Sequence, residues 1–375
     1  MVAPGEPAFS DFQSSNLLGI QHQILGLARA LTRRDHEAYI VRMWHVGSSA
    51  HEAMDGLTLV NLPSGPSPHG LFRRFAAMAV FSLRARECVK TIRPDALILT
   101  ELVTSLFLAT LPIRKIYVTH NRVSGLGWGD NPIREAAKRL VERFVFANCS
   151  TIVALNSAIL RNLNRRGYNA VEIPNAVEMD QYPDSAMEGA YILFSGRLEK
   201  IKGLHFLVRA YTGIEGQLRG RFRLVLAGYG PEEARLKKEA LNLGIGDKVD
   251  FRDWQTFSEF VKNMASCAVF VLPSLSESFP VTLVEAMACG KTVIASNIPG
   301  PSDIIQHGRN GMLFEAGDVR ALTGLLESVL REQRLRIELG ANARRTVKEG
   351  FTFDRIVVMY ENALAGTGDN ARNTE

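Results

Sequence analysis

Along this 375-residue chain, short β-branched runs alternate with stretches of helical period, and that alternation confines it to βα units wound into parallel sheets. In the first half the pattern predicts strands at 39–43, 57–62, 96–99, 116–119, 151–154 and 171–173. In the second half it predicts strands at 191–195, 223–227, 249–251, 269–272, 292–295 and 312–314. Helices fall between them: over 20–33, Ile20, Ile24, Leu27 and Leu31 share one face, and Pro132 suits the first turn of a helix ending near 147. Further helices are expected near 204–211, 232–243, 257–264, 281–288 and 319–330, then 334–348 and 354–365. Residues 175–189 are polar and aperiodic, which marks a linker. The expected organisation is an α/β chain of two Rossmann-like domains, 1–180 and 190–350, facing each other across a cleft. A helix at 351–366 returns to the first domain. Such a pair holds a ligand at the carboxyl ends of its strands.

One part of the first domain departs from this scheme. An apolar strand should precede Gly19, yet Pro4, Gly5, Pro7, Ser10, Asp11, Ser14 and Ser15 are loop chemistry. The first strand of a doubly wound sheet is usually central. The expectation is therefore a chain that begins late, its first strand missing or truncated, with a short irregular strand at 7–12 as the alternative.

Composition narrows the classes. Apolar residues at 46% and charged residues at 22% suit a globular protein, and no run reaches the roughly 20 apolar residues of a membrane span. The first residues lack the basic and apolar regions of a signal peptide. Four cysteines stand singly with no C-x-x-C, which points to buried thiols in a reducing, cytoplasmic setting. The net charge of +5 lies in the first half: residues 1–180 carry 20 Lys/Arg against 15 Asp/Glu, and the rest carry 24 of each. It is sharpest over 71–93, where Arg73, Arg74, Arg84, Arg86, Lys90 and Arg93 interleave with Leu71, Phe72, Phe75, Phe81 and Leu83. Such a basic amphipathic helix either lies against an anionic membrane, here the inner surface, or rests its apolar side on the sheet. No nucleic-acid partner is expected.

The chemistry is densest over 271–315. A buried strand there meets a turn at Pro273 to Pro280 and a helix starting near Val281, so the N–H groups of Phe279, Val281 and Thr282 gather at a helix N-terminus. Glu277 precedes that helix and Glu285 sits on its second turn. A carboxylate at 285 can accept from vicinal hydroxyls such as those of a ribose, and one at 277 from another sugar. Gly196, Arg197, Lys200, Lys202 and Gly203 follow a strand, and a strand end loaded with cations and flanked by glycines suits a diphosphate. Gly228 and Gly230, after the next strand, let backbone approach a ligand. His120 stands directly after a predicted strand. No D-x-D and no metal-ligand spacing occurs, so no metal or cofactor is expected.

Together FSGRLEKIKG, LAGYGPEEARLKKEA, LPSLSESFPVTLVEAMACGKTVIAS and GRNGMLFEAGD resemble the second domain of the retaining glycosyltransferases of family 4, which have the GT-B fold. The first half is similar more loosely, through Gly19, THN at 119–121 and IPNAVE at 173–178. The resemblance implies transfer of a sugar from a nucleotide diphosphate of UDP or GDP type to a hydroxyl of a glycan or lipid-linked glycan, without a metal. It implies Arg197 and Lys202 on the diphosphate, Glu285 on the ribose, and Glu277 on the sugar, helped by N–H groups at Phe279 and beyond. His120 would lie near the reacting carbon, and Gly19 would admit backbone to the phosphate. Retention follows from a one-face route or from double displacement, for which Glu101 is no clear nucleophile because a helix N-terminal role explains it equally. A nucleotide-sugar epimerase on the same fold is the alternative. A dinucleotide-dependent dehydrogenase lacks its G-x-G-x-x-G here, and the five charged or imidazole residues argue against a binding protein without catalysis.

Overall fold

A computed structural model describes residues 2–3, 19–44, 51–54, 56–63, 71–120, 132–183, 189–253 and 255–366. The chain forms two compact units, 1–175 with 353–375, and 176–352. The first holds an eight-stranded sheet: β1 (Val2–Ala3), β2 (Tyr39–Trp44), β3 (His51–Met54), β4 (Leu57–Pro63), β5 (Ala96–Leu99), β6 (Arg114–Val118), β7 (Thr151–Ala154) and β8 (Ala170–Glu172). Its order is β3-β4-β2-β1-β5-β6-β7-β8.

Two of these strands were not anticipated. Val2–Ala3 takes the central place that the sequence reading left empty, with Val2 opposite both Val41 and Leu99 and Ala3 opposite Arg42. The alternative strand at 7–12 lies outside the described residues. β3 runs antiparallel on β4 at the sheet edge. It brings Glu52 to Arg42, which is buried on β2 and needs partners. Arg42 Nε donates to Asn61 Oδ1 (2.6 Å), and Glu52 of β3 reaches Arg42 Nη2 (3.4 Å) and accepts from Asn61 Nδ2 (3.0 Å). A buried guanidinium is tolerated only when paired.

The basic helix Leu71–Ile92 puts Phe81, Ala85 and Val89 into the core at a spacing of four. From Ala77 onward its apolar side therefore rests within the unit. Arg86 donates to the Phe107 carbonyl (2.5 Å) at the carboxyl end of helix Leu102–Leu108, where a cation opposes the helix dipole. Val80 and Leu83 stay exposed beside Arg84. The last helix, Phe353–Ala365, belongs to this same unit and packs on Gly19–Thr32. A Cβ at Gly26 would come 2.1 Å from the Phe353 ring, and Glu361 holds Arg34 (2.8 Å) and His36 (2.9 Å).

The second unit carries six parallel strands: β9 (Tyr191–Ser195), β10 (Arg223–Ala227), β11 (Val249–Arg252), β12 (Val269–Leu272), β13 (Thr292–Ser296) and β14 (Met312–Phe314). Their order is β11-β10-β9-β12-β13-β14. Helices cover both faces of such a sheet, so its strands read as nearly unbroken apolar runs. β12 and β13 are buried at every residue.

Packing draws residues of the expected linker into the second unit. Val177 forms a parallel bridge with Thr352, and Tyr182 is 4% exposed in the second unit's core. Residues 176–183 are thus part of that unit, and the division falls just after Asn175, the first residue of the expected linker.

Close packing sets one clear test. Helix Gln333–Gly350 lies on β13, and a Cβ at Gly340 would sit 2.0 Å from the Gly290 carbonyl oxygen. Gly to Ala inside a helix normally gains about 1 kcal/mol. Here Gly340→Ala is expected to lower stability by about 1–3 kcal/mol, as overpacking does. Urea unfolding would show a lower midpoint at unchanged slope; a raised midpoint would mean the helix has room.

Candidate functional site

In the second unit the strand order reverses between β9 and β12, and the crevice at their carboxyl ends is where a doubly wound sheet holds its ligand. Beyond Ser195 the chain passes through Arg197 into a 3-10 turn, Lys200–Lys202, that stops at Gly203 with φ +64°. A Cβ at 203 would lie 2.1 Å from the Pro273 carbonyl oxygen. The Leu275 N–H donates to the Ile201 carbonyl at 2.8 Å. The loops after β9 and β12 are thereby joined backbone to backbone.

This joining brings Lys202 to Glu277. Lys202 Nζ is 2.7 Å from Glu277 Oε1, and Ser274 Oγ donates to the same oxygen at 2.6 Å. The glutamate side chain is 9% exposed, the lysine 24%. This half-buried ion pair fixes both charges at the strand-end crevice. Arg197 is more open: its Nε meets Glu199 Oε1 at 2.8 Å, and its guanidinium lies 5.9 Å from the Tyr229 ring centroid. Tyr229, which the sequence reading did not single out, stands between the two glycines of AGYG. Those glycines have a steric reason. A Cβ at Gly228 (φ +131°) would fall 1.9 Å from the Gly196 carbonyl oxygen, and one at Gly230 2.3 Å from that of Leu198.

Glu285 sits one layer deeper. Helix Val281–Ala288 buries it to 8% exposure, and Tyr182 donates its hydroxyl to Oε1 at 3.0 Å. Burial pushes the Glu285 carboxyl up to about 7, against the opposing pull of the tyrosine hydrogen bond. Arg344 in turn donates to the Tyr182, Pro183 and Ala288 carbonyls, which fixes the tyrosine segment over the helix end. Sequence spacing gave no sign of Tyr182, because its partner lies 103 residues away.

The expected helix N-terminal donors need one correction. The Val281 N–H donates to the Phe279 carbonyl at 3.1 Å, so the turn itself takes up that group. The Phe279 ring packs on Phe351 (6.2 Å between centroids), and Thr282 is part-buried in the first turn.

In the first unit His120 follows β6, part-buried, with its N–H on the Val118 carbonyl (3.0 Å). Burial pushes its imidazole down to about 4, so the ring is neutral near pH 7. Thr119 anchors the strand end through Oγ1 to the Val153 carbonyl (2.9 Å). Gly19 opens helix Gly19–Thr32, exposed, with nothing described within 4 Å of an added Cβ. Glu101 accepts from the N–H groups of Val103 (2.9 Å) and Thr104 (2.6 Å) and so caps helix Leu102–Leu108. The four cysteines are free thiols. Among the described residues no group of three or more His, Cys, Asp or Glu could hold a metal, and no helix is long and apolar enough to cross a membrane.

A sequence profile described as Glycosyl transferases group 1 matches residues 178–346, and one described as Glycosyltransferase Family 4 matches residues 18–181. Over 170 residues the chain is 32% identical to N-acetyl-alpha-D-glucosaminyl L-malate synthase of Bacillus anthracis, covering 45% of this chain and 44% of that protein. The chain spans about half the length of the curated relatives it matches. Among solved structures, sucrose-phosphate synthase from Thermosynechococcus elongatus superposes with a TM-score of 0.81 at 19% identity, covering 93% of this chain and 94% of that one. HepE of Anabaena in complex with UDP and glucose gives 0.72 at 18%, covering 94% and 97%.

The buried carboxyl of Glu285 makes stability depend on pH with a definite sign. Its folded value of about 7 lies above the ordinary 4.5, so its contribution is fully present below pH 4.5 and is lost as pH rises through 7. Glu285→Gln removes that loss. Relative to the native chain, the variant should gain on the order of 3 kcal/mol between pH 4.5 and 8. Parallel stability curves over that range in urea titrations would show that Glu285 does not titrate there.

Proposed function

We propose that this chain, which belongs to the group 1 glycosyltransferases and has their GT-B fold, moves a sugar from a nucleotide diphosphate to an acceptor hydroxyl with retention of configuration. The observation that carries this reading is the meeting of the Arg197–Lys202 loop with Glu277 at the switch point of the second unit. Fixed cations at a strand end are suited to the charge that grows on a departing diphosphate, which is the main electrostatic task of such a transfer. The neighbour bound to UDP and glucose supports a nucleotide-sugar donor.

In this reading Arg197 and Lys202 hold the diphosphate without a metal. Glu277, held by Lys202 and Ser274, takes hydroxyls of the donor sugar. Glu285, held by Tyr182, takes the ribose, and its burial strengthens each hydrogen bond it accepts. The turn at Phe279, Val281 and Thr282 shapes the edge of this pocket. Neutral His120 contacts the donor sugar near the reacting carbon, and Gly19 admits backbone toward its phosphate. The bond from the anomeric carbon to the phosphate oxygen breaks, and its electron pair leaves with the diphosphate. The acceptor oxygen bonds to that carbon on the same face, and the acceptor's proton passes to the departing oxygen. The capping role of Glu101 supports this one-face route, since it takes the first unit's strand-end carboxylate out of reach as a nucleophile. The acceptor is a glycan or lipid-linked glycan. Contact with an anionic membrane would run through exposed Leu83 and Arg84 of helix Leu71–Ile92.

Calorimetry with a nucleotide diphosphate tests the cation assignment. Arg197→Ala should weaken binding by about 1.5–3 kcal/mol, the scale of a hydrogen bond to a charged group. Undiminished affinity, or activity abolished by EDTA and restored by magnesium, would overturn the metal-free diphosphate site.

The two glutamates separate by readout. Glu285→Gln should weaken binding of the bare nucleotide, whereas Glu277→Gln should leave it within about 0.5 kcal/mol and lower turnover at least tenfold. Equal losses of bare-nucleotide affinity in both variants would reverse the assignment.

A further inference from the structure

The two glutamates around the Pro280 turn are held differently. Glu277 carries two donors on one oxygen, a cation among them. Among the described residues a single hydrogen bond reaches the Glu285 carboxylate, from the neutral Tyr182 hydroxyl to Oε1 at 3.0 Å. Oε2 accepts none there and is not sealed from solvent. Tyr182 itself is fixed on several sides. Its N–H donates to the Met179 carbonyl (3.2 Å), its own carbonyl accepts from Arg344 (3.3 Å), and its ring stands edge-on to Phe257, 6.2 Å between centroids. The ring by itself would fill this place, and a buried hydroxyl without a partner is costly. What the oxygen adds is its bond to Glu285.

We propose that Tyr182 is a positioning residue for the ribose carboxylate, and that it makes recognition of the ribose hydroxyls subject to a single proton. The proposal rests on the reading of Glu285 as the ribose acceptor. The Tyr182 O–H stays a donor, because burial and then the neighbouring charge of Glu285 raise the phenol well above its ordinary value. A donor held on Oε1 leaves the carboxyl proton, when there is one, on Oε2, and Oε2 is the oxygen open to a ligand. Ionised Glu285 accepts at Oε2 and at the remaining lone pair of Oε1; neutral Glu285 has a proton where a ribose hydroxyl should donate. Burial pushes the carboxyl up to about 7, and the tyrosine hydrogen bond opposes that rise. Nearby groups do not compete for the proton near neutrality. Burial, then Cys267 and Glu285, push Cys289 up to about 12, and burial pushes Cys267 to about 12, so both remain thiols. Arg344 donates to the Tyr182, Pro183 and Ala288 carbonyls, Lys291 acts on Cys289, and Phe257 brings an uncharged ring. Recognition of the ribose therefore strengthens as pH rises through 7 and fades below it.

The test compares a nucleotide with the same nucleotide lacking its ribose hydroxyls. Uridine and guanosine diphosphate are each titrated calorimetrically beside their 2′,3′-dideoxy forms from about pH 5.5 to 9, and the ratio of the two dissociation constants is read. The ratio cancels the titration of the diphosphate, which both forms share. In the native chain the ribose form should bind about tenfold more tightly or better at the alkaline end, with half of that preference lost near pH 7. Tyr182→Phe keeps the ring and removes the donor, so the carboxyl rises further. Its half-loss point should move up by about half a pH unit or more, and its ratio near neutral pH should fall about threefold yet recover at the alkaline end, which a packing defect would not do. Glu285→Gln should give a small ratio, flat across the range. A native ratio near one at every pH would overturn the ribose reading of Glu285. A native preference that ignores pH, or one that Tyr182→Phe lowers equally at every pH or leaves with its half-loss point unmoved, would overturn the proposal and leave that reading standing. Urea unfolding checks that Tyr182→Phe is folded; should it not be, the native profile still decides whether a proton competes with the ribose.

Discussion

At residue 203 there is no room for a side chain: the Gly203 backbone turns left-handed directly against the Pro273 carbonyl, and the Leu275 N–H closes on Ile201. This contact between two loops governs the candidate site. It stitches the carboxyl ends of β9 and β12 across the switch point and carries Lys202 to Glu277. Without it the lysine would be one more solvated cation on a surface turn. The glycines at 228 and 230 extend the same device to β10, where backbone lies on backbone and leaves Tyr229 beneath Arg197.

A second layer supports the first through burial. Glu285 lies among apolar groups of helix Val281–Ala288, where an ionised carboxylate is costly, and Tyr182 supplies the compensating donor. Arg344 then anchors the tyrosine by its backbone. Three segments distant in sequence are therefore coupled: the chain just after the first unit, the helix of the second glutamate, and helix Gln333–Gly350. A carboxyl held in this way has few conformations left open to it.

The first unit is governed by its ladder rather than by loop contacts. Its sheet carries one buried polar cluster, in which Arg42, Asn61 and Glu52 join β2, β4 and β3. Its functional candidates are fewer. His120 is kept neutral by burial, and Glu101 serves a helix end. The fold of this unit is completed by the last helix of the chain, through Phe353 against Gly26 and Glu361 against Arg34 and His36.

The sequence by itself determined the alternation of strands and helices, because burial on both faces of a parallel sheet leaves short β-branched runs such as VFVL and TVIAS between longer segments of helical period. It also determined which loops carry chemistry, since glycine, arginine and lysine at a strand end, or two glutamates around a proline turn, are local patterns. Tertiary structure alone decided what depends on distant partners. Glu52 of β3 meets the buried Arg42, and Tyr182 of the 176–183 segment meets Glu285, 103 residues on. The Val281 N–H turned inward to Phe279, although its position promised an open donor. Val2–Ala3 entered the sheet by filling a gap between β2 and β5, although two residues have no periodicity to read. Local patterns report the period and polarity of an element. Register, pairing and burial of single polar groups are set by residues tens to hundreds of positions away, and only folding brings those together.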